Sequence, residues 1–477
     1  MSNSLKLIIA GVASIAVLSA LAVLLLKGGG DEPSSSGSSL NSDTETVKLV
    51  DYEFTAIESV DIHQPGYDFA ITAVDGEEGT FTLEGYEKLP VDKSLCYTIP
   101  NNLSNAEARL LVESTDNYEQ YGLDDKTAIG LTVNGNDGKK SELLIGNSTP
   151  DGSDNYVKYK DKNEVYLVEH SKLANAFSTP LKLISTTLIE KPEDDAYPKI
   201  NKVVIDRTDI DYDIVFEYDK TADLDITRGN SASHVMVEPI NAYLNLTLST
   251  PITHGIFGLT STEAVVAYPK AEDFTQYGLD EPFCTVTTET ENGNYVLKIS
   301  KAVTVDNATL YYGYVDTIDA IFSFSASQIP WITLKPIDVI STLVFGTYVF
   351  DIGKLDVKTT NGNLLFEGSG DKDNYSVTLN GKSCDTEAFK LFYQFLLKAP
   401  AEEVSLEEPT GEPTASIILD RQDEYDGETV EFYDTGNRWY TIRHNGKVCF
   451  KCRAAYVERL LSNIECVLNG EEVVMTF

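Results

Sequence analysis

The feature that most constrains the fold is a segment that recurs along the chain at a constant offset. Asn117–Asp124, which reads NYEQYGLD, matches Asp273–Asp280, which reads DFTQYGLD, and the offset is 277 − 121 = 156. Further on, Leu183–Thr186 matches Val339–Thr342 with the same offset, 340 − 184 = 156. Because two separate anchors share one offset, the chain contains at least two copies of one structural unit.

Each unit is rich in the signals of antiparallel sheet. Alternating apolar runs such as Ile129–Val133 and Tyr295–Ile299 predict strands. Short turn pairs predict hairpins, at Asn134-Gly135, Asp137-Gly138, Asn361-Gly362 and Asn380-Gly381. The sequence therefore predicts a β-rich α+β fold, in which an N-terminal transmembrane helix is followed by tandem repeats of antiparallel sheet with short helices. The predicted boundaries are 46–198 for repeat unit 1, 199–345 for repeat unit 2 and 346–477 for a divergent repeat unit 3.

Short helices are predicted from their capping residues. Ser104-Asn105-Ala106-Glu107 has the capping-box pattern that opens a helix. Pro239 predicts the first turn of a helix over Glu238–Leu246, and Asp385 predicts the cap of another over Thr386–Lys398.

The repeated YGLD motif predicts a structural corner in each of the first two units. Asp116 and Asp273 are N-cap candidates, and the glycine suits a left-handed C-terminal position. The flanking tyrosine and leucine would pack the turn onto a sheet, so a structural role is favoured over a ligand site. The corner residues are Tyr121, Gly122, Leu123 and Asp124 in the first copy and Tyr277, Gly278, Leu279 and Asp280 in the second.

The N-terminal segment Leu7–Leu26 carries no charge and no proline. It has 26 − 7 + 1 = 20 residues, which as a helix span about 30 Å, the thickness of a bilayer core. The prediction is a transmembrane anchor over residues 1–27 and a flexible Gly/Ser linker over 28–45, with a cleavable signal peptide as the alternative. Since five residues before Lys6 are too few for a domain, we expect a cytoplasmic N-terminus and an extracytoplasmic body at the cell membrane.

The net charge and the motifs of the sequence limit the functions that the chain can have. The 75 acidic residues against 37 basic ones give a net charge of −38, which opposes binding to nucleic acid. The five histidines form no close pair in sequence and no known catalytic pattern. We therefore predict no catalytic, cofactor-binding or metal-binding residue and no cofactor.

The sequence contains an aspartate cluster and a cysteine pair whose residue types could bind a metal ion or carry redox chemistry. Asp206, Asp209, Asp211 and Asp213 could suit calcium, but spacing of two favours a solvated strand face. Cys449 and Cys452 form one C-x-x-C pair. Because a strand is predicted there, their sulfurs would point to opposite faces, which argues against a redox site.

The N-terminal anchor and the repeated YGLD corners resemble the domain-of-unknown-function 4340 family, in which a proline follows the corner. Pro282 fits that pattern, whereas Lys126 stands at the matching place in the first copy. The resemblance covers most of residues 46–345 and implies a bacterial, membrane-anchored protein associated with ABC-type transporters of the gliding-motility kind. It implies no catalytic residue.

The expected function is a non-enzymatic, extracytoplasmic, membrane-anchored accessory or scaffold protein. Its expected partners are the membrane, through the N-terminal helix, and a membrane complex such as an ABC-type transporter. A solute- or polymer-binding module is the first alternative, and a long tyrosine-lined groove across unit boundaries would favour it. An extracytoplasmic hydrolase is the second, and clustered acids in a deep cleft would favour that.

Overall fold

The computed structural model describes residues 46–124, 126–223 and 231–477. The predicted anchor over 1–27 and the predicted linker over 28–45 both lie outside the described residues. Within the described ranges, no helix is both long and apolar enough to cross a membrane.

Three sheets of similar size follow one another along the chain. The first contains β1 (Thr46–Lys48), β2 (Ile57–Gln64), β3 (Tyr67–Ala73), β4 (Phe81–Leu83), β5 (Glu107–Val112), β6 (Ile129–Gly135), β7 (Lys140–Ser148), β8 (Asp154–Tyr159) and β9 (Val165–Glu169). The second contains β10 (Ile200–Arg207), β11 (Ile214–Tyr218), β12 (His234–Glu238), β13 (Ala242–Tyr243), β14 (Glu263–Ala267), β15 (Cys284–Thr290), β16 (Gly293–Ile299), β17 (Val303–Val305), β18 (Ala308–Val315) and β19 (Ala320–Phe324). The third contains β20 (Ile352–Thr359), β21 (Gly362–Ser369), β22 (Ser376–Leu379), β23 (Lys382–Cys384), β24 (Glu403–Val404), β25 (Ala415–Arg421), β26 (Glu428–Gly436), β27 (Trp439–His444) and β28 (Lys447–Arg453).

The three sheets share one spatial order of strands. It runs β5-β9-β8-β7-β6-β2-β3-β4 in the first, β14-β19-β18-β16-β15-β10-β11-β12 in the second and β24-β28-β27-β26-β25-β20-β21-β22 in the third. Their strands alternate buried and half-exposed positions, as in β6 and β15, because only one face of each sheet packs on the core. A β-rich fold of antiparallel sheets is therefore confirmed. The unit boundaries stay predictions, although each sheet takes its strands from one predicted range.

Six α-helices lie in the described ranges, and the first helix of each unit occupies an equivalent place. They are α1 (Lys93–Ser104), α2 (His170–Leu173), α3 (Leu246–Thr253), α4 (Ala271–Gln276), α5 (Thr386–Leu396) and α6 (Ala454–Asn469). Asp92 caps α1 by accepting from the backbone N–H groups of Ser94 and Leu95, and Asn245 caps α3 by accepting from that of Leu248. The cap residues hold these helices beside the sheets at matching positions.

The second matched anchor of the sequence has a structural role. The Asp92 N–H donates to the Leu183 carbonyl at 2.7 Å, and the Asn245 N–H donates to the Val339 carbonyl at 2.9 Å. Isolated bridges also join Val91 to Ile184 and Leu244 to Ile340. The repeated tetrapeptide thus ties the end of each unit to the start of its own helix.

The cores divide unequally. The first sheet packs mainly on its own buried residues, including Val60, Phe81 and Leu131. The second and third sheets share one continuous core, in which Phe345 from their connecting segment is fully buried. The second and third units are therefore held together by shared apolar contacts as well as by the chain that connects them.

Two of the three predicted helix starts are wrong. Ser104 ends α1 and Glu107 begins β5, because Ala106 and Ala108 are buried in the sheet core. Glu238 ends β12, Glu238-Pro239 is a cis peptide, and α3 begins only at Leu246. The helix α5 is confirmed, with Asp385 accepting from the Glu387 N–H.

The proposed caps at the corners are also wrong. The first corner turn is preceded by Tyr118 with no side-chain cap, so Asp116 does not fill that role. Asp273 lies inside α4 and accepts from the backbone N–H of Lys270 at 2.8 Å. Asn134-Gly135 is part of β6 rather than a turn, because residues 136–139 make the hairpin there.

Candidate functional site

A cleft of about 860 Å³ lies between the second and third sheets. Its second-sheet wall is formed by the end of β11 and the turn after it, together with β12 and β13. Its third-sheet wall comes from the Glu424–Glu428 segment and the β27–β28 turn, and the Gly346–Tyr348 connection crosses it. A cleft at a boundary between units can combine groups from both, as ligand sites often do.

Glu428 forms the floor of this cleft and is nearly inaccessible, with 4% of its surface exposed. Its carboxylate accepts from the Gly346 N–H at 2.9 Å and also from the Thr347 hydroxyl. Burial raises the pKa of Glu428, but its interactions with His444, Thr347 and Gly346 outweigh burial, so the net pKa is lowered. Glu428 is thus held as an anion that ties the third sheet to the connecting segment.

Tyr243 covers the same connection from the second sheet. A Cβ atom on Gly346 would lie only 2.4 Å from Tyr243 Cζ, so glycine allows the ring to pack against the backbone there. Burial, and then the negative charge of Glu428, raise the pKa of Tyr243 well above its usual value. The phenol therefore stays protonated and able to donate.

His444 completes what we call the junction cluster: Tyr243, Gly346, Thr347, Glu428 and His444. Its Nδ1 lies 3.4 Å from the Asn241 carbonyl oxygen of the second unit, and its Nε2 lies 3.7 Å from Glu428 Oε2. The Tyr243 and His444 rings are 5.5 Å apart. Nearby, Lys447 donates to the Val237 carbonyl at 2.7 Å and pairs with Glu238.

A tight turn aims these side chains at the second unit. Asn445 and Gly446 have φ values of 48° and 79°, so β27 and β28 are joined by a two-residue turn of the Asn-Gly type. His444 and Lys447 are the residues that flank it. This site was not predicted from the sequence, although Asn445-Gly446 is the same kind of turn signal as Asn361-Gly362 and Asn380-Gly381.

The walls of the cleft are aromatic and acidic. Four tyrosines line it, drawn from both units and the connection between them: Tyr218, Tyr243, Tyr348 and Tyr425. Seven carboxylates face three lysine or arginine side chains: Glu217, Asp219, Asp223, Asp351, Glu424, Asp426 and Glu428 against Lys199, Lys220 and Arg421. The wall chemistry therefore suits a ligand with cationic or hydroxyl groups.

Lysine and arginine side chains of the protein already contact some of these aromatic and acidic groups. Lys199 Nζ lies 3.9 Å from the centre of the Tyr218 ring and 3.0 Å from Asp223. Arg421 is almost fully buried and pairs with Asp423 and Asp351. Burial raises the pKa of Asp351 although Arg421 is adjacent.

The predicted corners lie elsewhere. None of the eight corner residues, all of which are in the described part of the chain, lines the cleft. Gly122 and Gly278 both have φ of 67°, and Leu123 and Leu279 are buried. The corner tyrosine meets a strand tyrosine in each copy, with 5.0 Å between the rings of Tyr121 and Tyr156 and 4.6 Å between those of Tyr277 and Tyr312.

The two corner aspartates differ in their contacts. Asp124 accepts from the Lys126 N–H at 3.0 Å and from the Thr127 hydroxyl. Asp280 accepts from the Thr275 hydroxyl at 2.9 Å. Packing, rather than one conserved polar contact, is therefore what the two copies have in common.

The cysteines lie apart from the cleft and are all free. Cys449 and Cys452 are both buried in β28, just before α6. Burial raises the pKa of Cys452 to about 12 and that of Cys449 still further. Thiols in this state are poor nucleophiles at neutral pH.

Two of the histidines, which form no close pair in sequence, meet in the fold. The His234 and His254 rings lie 5.5 Å apart at 90°, because β12 and the end of α3 meet in the second unit. His234 Nε2 donates to the Ile200 carbonyl at 3.0 Å, and its Nδ1 accepts from the Ser233 hydroxyl. Burial, and then the positive charge of His254, lower the pKa of His234 to about 4.

The aspartate cluster is not a strand face. β10 ends at Arg207 and β11 begins at Ile214, so Asp209, Asp211 and Asp213 lie in the connection. Arg207 binds Asp209 with two hydrogen bonds of 2.9 and 2.6 Å. Across residues 46–124, 126–223 and 231–477, no group of three His, Cys, Asp or Glu side chains is arranged to hold a metal ion.

Comparison with known proteins gives one match. Residues 82–233 match the model of the Domain of unknown function (DUF4340) family, over 233 − 82 + 1 = 152 residues. The match begins inside β4 and ends just before β12, so it crosses from the first sheet into the second. No curated protein and no solved structure matches the chain.

Proposed function

We propose that this chain is a non-enzymatic, extracytoplasmic accessory protein, anchored in the membrane by Leu7–Leu26 and acting with a membrane complex such as an ABC-type transporter. The cleft between the second and third units is its recognition surface. The single observation that carries this proposal is that two repeated units, tied by a buried cluster, enclose an acidic, tyrosine-lined cleft.

The charge of the cleft indicates the kind of partner. Seven carboxylates and three lysine or arginine side chains line the cleft, and Arg421 already pairs with Asp351 and Asp423. Tyrosine faces attract cations, and the Lys199–Tyr218 contact is an internal example. A segment of a membrane protein that carries lysine or arginine side chains would fit both features.

Anchoring would raise the effect of a weak contact. The predicted linker over 28–45 has 45 − 28 + 1 = 18 residues. As a Gly/Ser coil it would have a root-mean-square reach of about 21 to 25 Å, so the body would stay near the bilayer. Confinement raises the effective concentration of the body toward proteins of the same membrane. The resemblance to the domain-of-unknown-function 4340 family is what points to an ABC-type transporter among them.

A solute- or polymer-binding module is the second candidate. The observation that favours it is the set of four tyrosines contributed by two units and their connection, since aromatic walls also stack on sugars and other flat groups. Binding of a soluble ligand by the released body, with no membrane partner, would identify this function.

The hydrolase alternative rests on the clustered acids of the same cleft. Asp351 and Glu428 have pKa values shifted in opposite directions, as an acid–base pair requires. Both carboxylates already serve the fold, however: Asp351 binds Arg421, and Glu428 binds the connecting segment. This occupation favours a structural role for the pair.

Site-directed photocrosslinking in native membranes tests the proposal. A photoreactive phenylalanine replaces Glu424, an exposed residue of the cleft, in the full chain. The matched control replaces Glu281, an exposed glutamate beside the second corner. We expect a crosslink to a membrane protein from position 424 and none to that protein from position 281.

Release of the body tests the anchoring separately. Residues 1–30 are deleted and the body is redirected by a cleavable signal. Loss of the crosslink, together with loss of the protein's activity in the cell, supports the accessory function. A released body that works fully, or that turns over a substrate in isolation, contradicts it.

A further inference from the structure

A second pocket, of about 640 Å³, lies within the second unit. Its wall is formed by the end of β10, the residue before β15, residues 301–302 after β16, one residue of β18 and residues 332–335. None of its described lining residues also lines the cleft between the second and third units. It is therefore a separate site, of a size that is usual for small-molecule ligands.

Cationic side chains gather at this pocket, although the chain as a whole is strongly acidic. Arg207, Lys301 and Lys335 line it together with one carboxylate, that of Asp209. Both lysines are exposed, and across residues 46–124, 126–223 and 231–477 neither side chain takes part in a salt bridge. Two ammonium groups at one pocket repel each other, and an anion bound between them would relieve that repulsion.

Arg207 is the fixed part of the cationic wall, with 6% of its side chain exposed. Its Nε and Nη2 donate to Asp209 at 2.9 and 2.6 Å, and its Nη1 donates to the Leu334 carbonyl at 2.6 Å. A guanidinium has five N–H groups, so two of them have no acceptor in the described part of the chain. Asp209 therefore orients the guanidinium, and the two remaining N–H groups are available to an anion.

The rest of the wall is largely apolar. Phe283 and Tyr311 are half-buried there, and Ile332 is buried. The backbone holds Phe283 in place, because its carbonyl accepts from the Thr208 N–H at 3.0 Å. Since aromatic rings pack well against flat apolar groups, a ligand that fills this pocket has an apolar or aromatic body beside its charge.

The first unit makes the same structural tie without a charge. Gln64 donates to the Ser178 carbonyl at 2.8 Å, and 178 + 156 = 334, so Gln64 holds the place that Arg207 has in the second unit. A neutral amide is therefore sufficient to join the end of this strand to the segment that precedes the repeated tetrapeptide. The fold alone does not account for a cation at this position.

The two lysines also replace neutral residues of the first unit. Thr179 matches Lys335 at the same offset, 335 − 179 = 156. Asn147 and Lys301 each lie two residues past the partner of the first residue of β6 or β15, so they occupy equivalent places. The cationic pocket is thus a property of the second unit rather than of the repeat.

We propose that this pocket binds a small phosphate monoester with an apolar or aromatic body, whose phosphate oxygens accept from Arg207, Lys301 and Lys335. A phosphate monoester carries a charge of about −1.5 to −2 at pH 7 and has three strong acceptor oxygens, which match one guanidinium and two ammonium groups. A carboxylate has a single charge and would leave one lysine unpaired. The inference goes beyond the proposed function and does not depend on it.

Calorimetric titration of the full chain in lipid nanodiscs with phenyl phosphate tests the proposal. We expect saturable binding that is at least about tenfold tighter than that of inorganic phosphate, which lacks the ring, or of benzoate, which carries one charge. Lys301→Gln and Lys335→Gln should each weaken binding by about tenfold. The matched control is Lys270→Gln, at an exposed lysine of the same unit outside the pocket, and it should leave the affinity unchanged.

Four results would overturn the inference. They are failure of phenyl phosphate to bind, an equal loss of affinity in Lys270→Gln and the pocket variants, equal affinity for inorganic phosphate and equal affinity for benzoate. The third would show that the aromatic wall contributes nothing, and the fourth that the site does not select a phosphate group.

Limited acetylation of the unsubstituted chain locates the ligand without any variant. Phenyl phosphate at saturation should slow the reaction of Lys301 and Lys335 with acetic anhydride and leave that of Lys270 unchanged, as read by mass spectrometry of peptides. Equal protection of all three lysines, or protection of none, would overturn the inference. Both measurements need no membrane partner, so their outcome is separate from that of the crosslink at position 424.

Discussion

The roles of some single residues depend on contacts with residues that are distant in sequence. Gly346 leaves room for the Tyr243 ring, and His234 sits neutral between a carbonyl and a hydroxyl inside the second unit. Both are determined by a partner far along the chain: Tyr243 for the glycine and Ile200 for the histidine. Substitutions at these positions therefore probe tertiary contacts rather than local propensity.

Gly346→Ala should destabilise the junction of the second and third units. Its Cβ would lie 2.4 Å from Tyr243 Cζ, so the ring or the backbone must shift, at a cost of about 1 to 3 kcal/mol. Urea unfolding measures the difference. Gly130→Ala is the matched control, because its nearest neighbour would be at 3.4 Å and we expect little change there. Equal stability of the two variants would contradict the close packing of Tyr243.

The free energy of unfolding should decrease as the pH is lowered, and part of this decrease should come from His234. Its pKa in the folded protein is about 4 against an ordinary value of 6.5, so the unfolded chain takes up a proton that the folded one refuses. The contribution is complete above pH 6.5 and is lost as pH falls toward 4. Between pH 7 and pH 5.5 we expect a loss of about 1 kcal/mol that is absent in His234→Gln. His63→Gln, at an exposed histidine, should keep the loss, and a His234→Gln variant that also keeps it would contradict the assignment.

The repeated elements keep their geometry although their polar contacts differ. Both corners have a left-handed glycine, a buried leucine and a tyrosine pair, and both helix caps receive the same backbone tie from the repeated tetrapeptide. The third unit has the strand order without the corner, with residues 405–414 joining β24 to β25 instead. The strand order is therefore the common property, and the corner is one way of making that connection.

Gly278→Val should destabilise the second corner. With φ at 67°, a β-branched residue is strained, and we expect a cost of about 1 kcal/mol or more. Gly278→Asn is the control, since asparagine tolerates the left-handed region better than other residues. Thermal melting compares the two, and the interpretation of a left-handed corner fails if valine and asparagine have the same effect.

At the scale of the whole molecule, Val47–Phe477 is one compact unit with two large cores and a third, small cluster around Leu123. The first sheet has its own, whereas the second and third sheets share theirs across the connecting segment. Unfolding should therefore occur in fewer steps than the three repeats would indicate. The cleft is lined by residues of both the second and the third unit, so its shape depends on the two units together.

Phe345→Ala should weaken the second and third units at once. Removal of this fully buried ring from the shared core costs about 3 to 5 kcal/mol. Hydrogen exchange of the full chain should show faster exchange in β15 and β25 and little change in β6. Phe81→Ala, in the core of the first sheet, is the matched control and should give the reverse pattern. Faster exchange confined to one sheet in Phe345→Ala would contradict a shared core.

The topology at the membrane remains a prediction from Leu7–Leu26, which lies outside the described residues. Protease added to intact protoplasts should digest the body if it is extracytoplasmic. Protection of the body would reverse the predicted orientation, and a mature protein that begins near Gly28 would replace the anchor with a cleaved signal peptide.

The sequence by itself determined the properties that depend on local pattern. Alternation of apolar residues gave the strands, the repeated motif at one offset indicated a repeated unit, and Asp385 located the start of α5. These succeed because strand faces and helix caps are set by residues close together in the chain. Local pattern failed at Ser104 and Glu238, where packing of a neighbouring strand decided the element.

Only the tertiary structure decided the candidate site. Tyr243, Glu428 and His444 are separated by up to 444 − 243 = 201 positions, and the sequence alone does not show that they meet. Their environment is equally non-local, because burial and neighbouring charges, rather than residue type, set the charge of Glu428. A cleft between repeats arises from how the sheets pack against each other, and that packing is specified by many weak apolar contacts spread over both units.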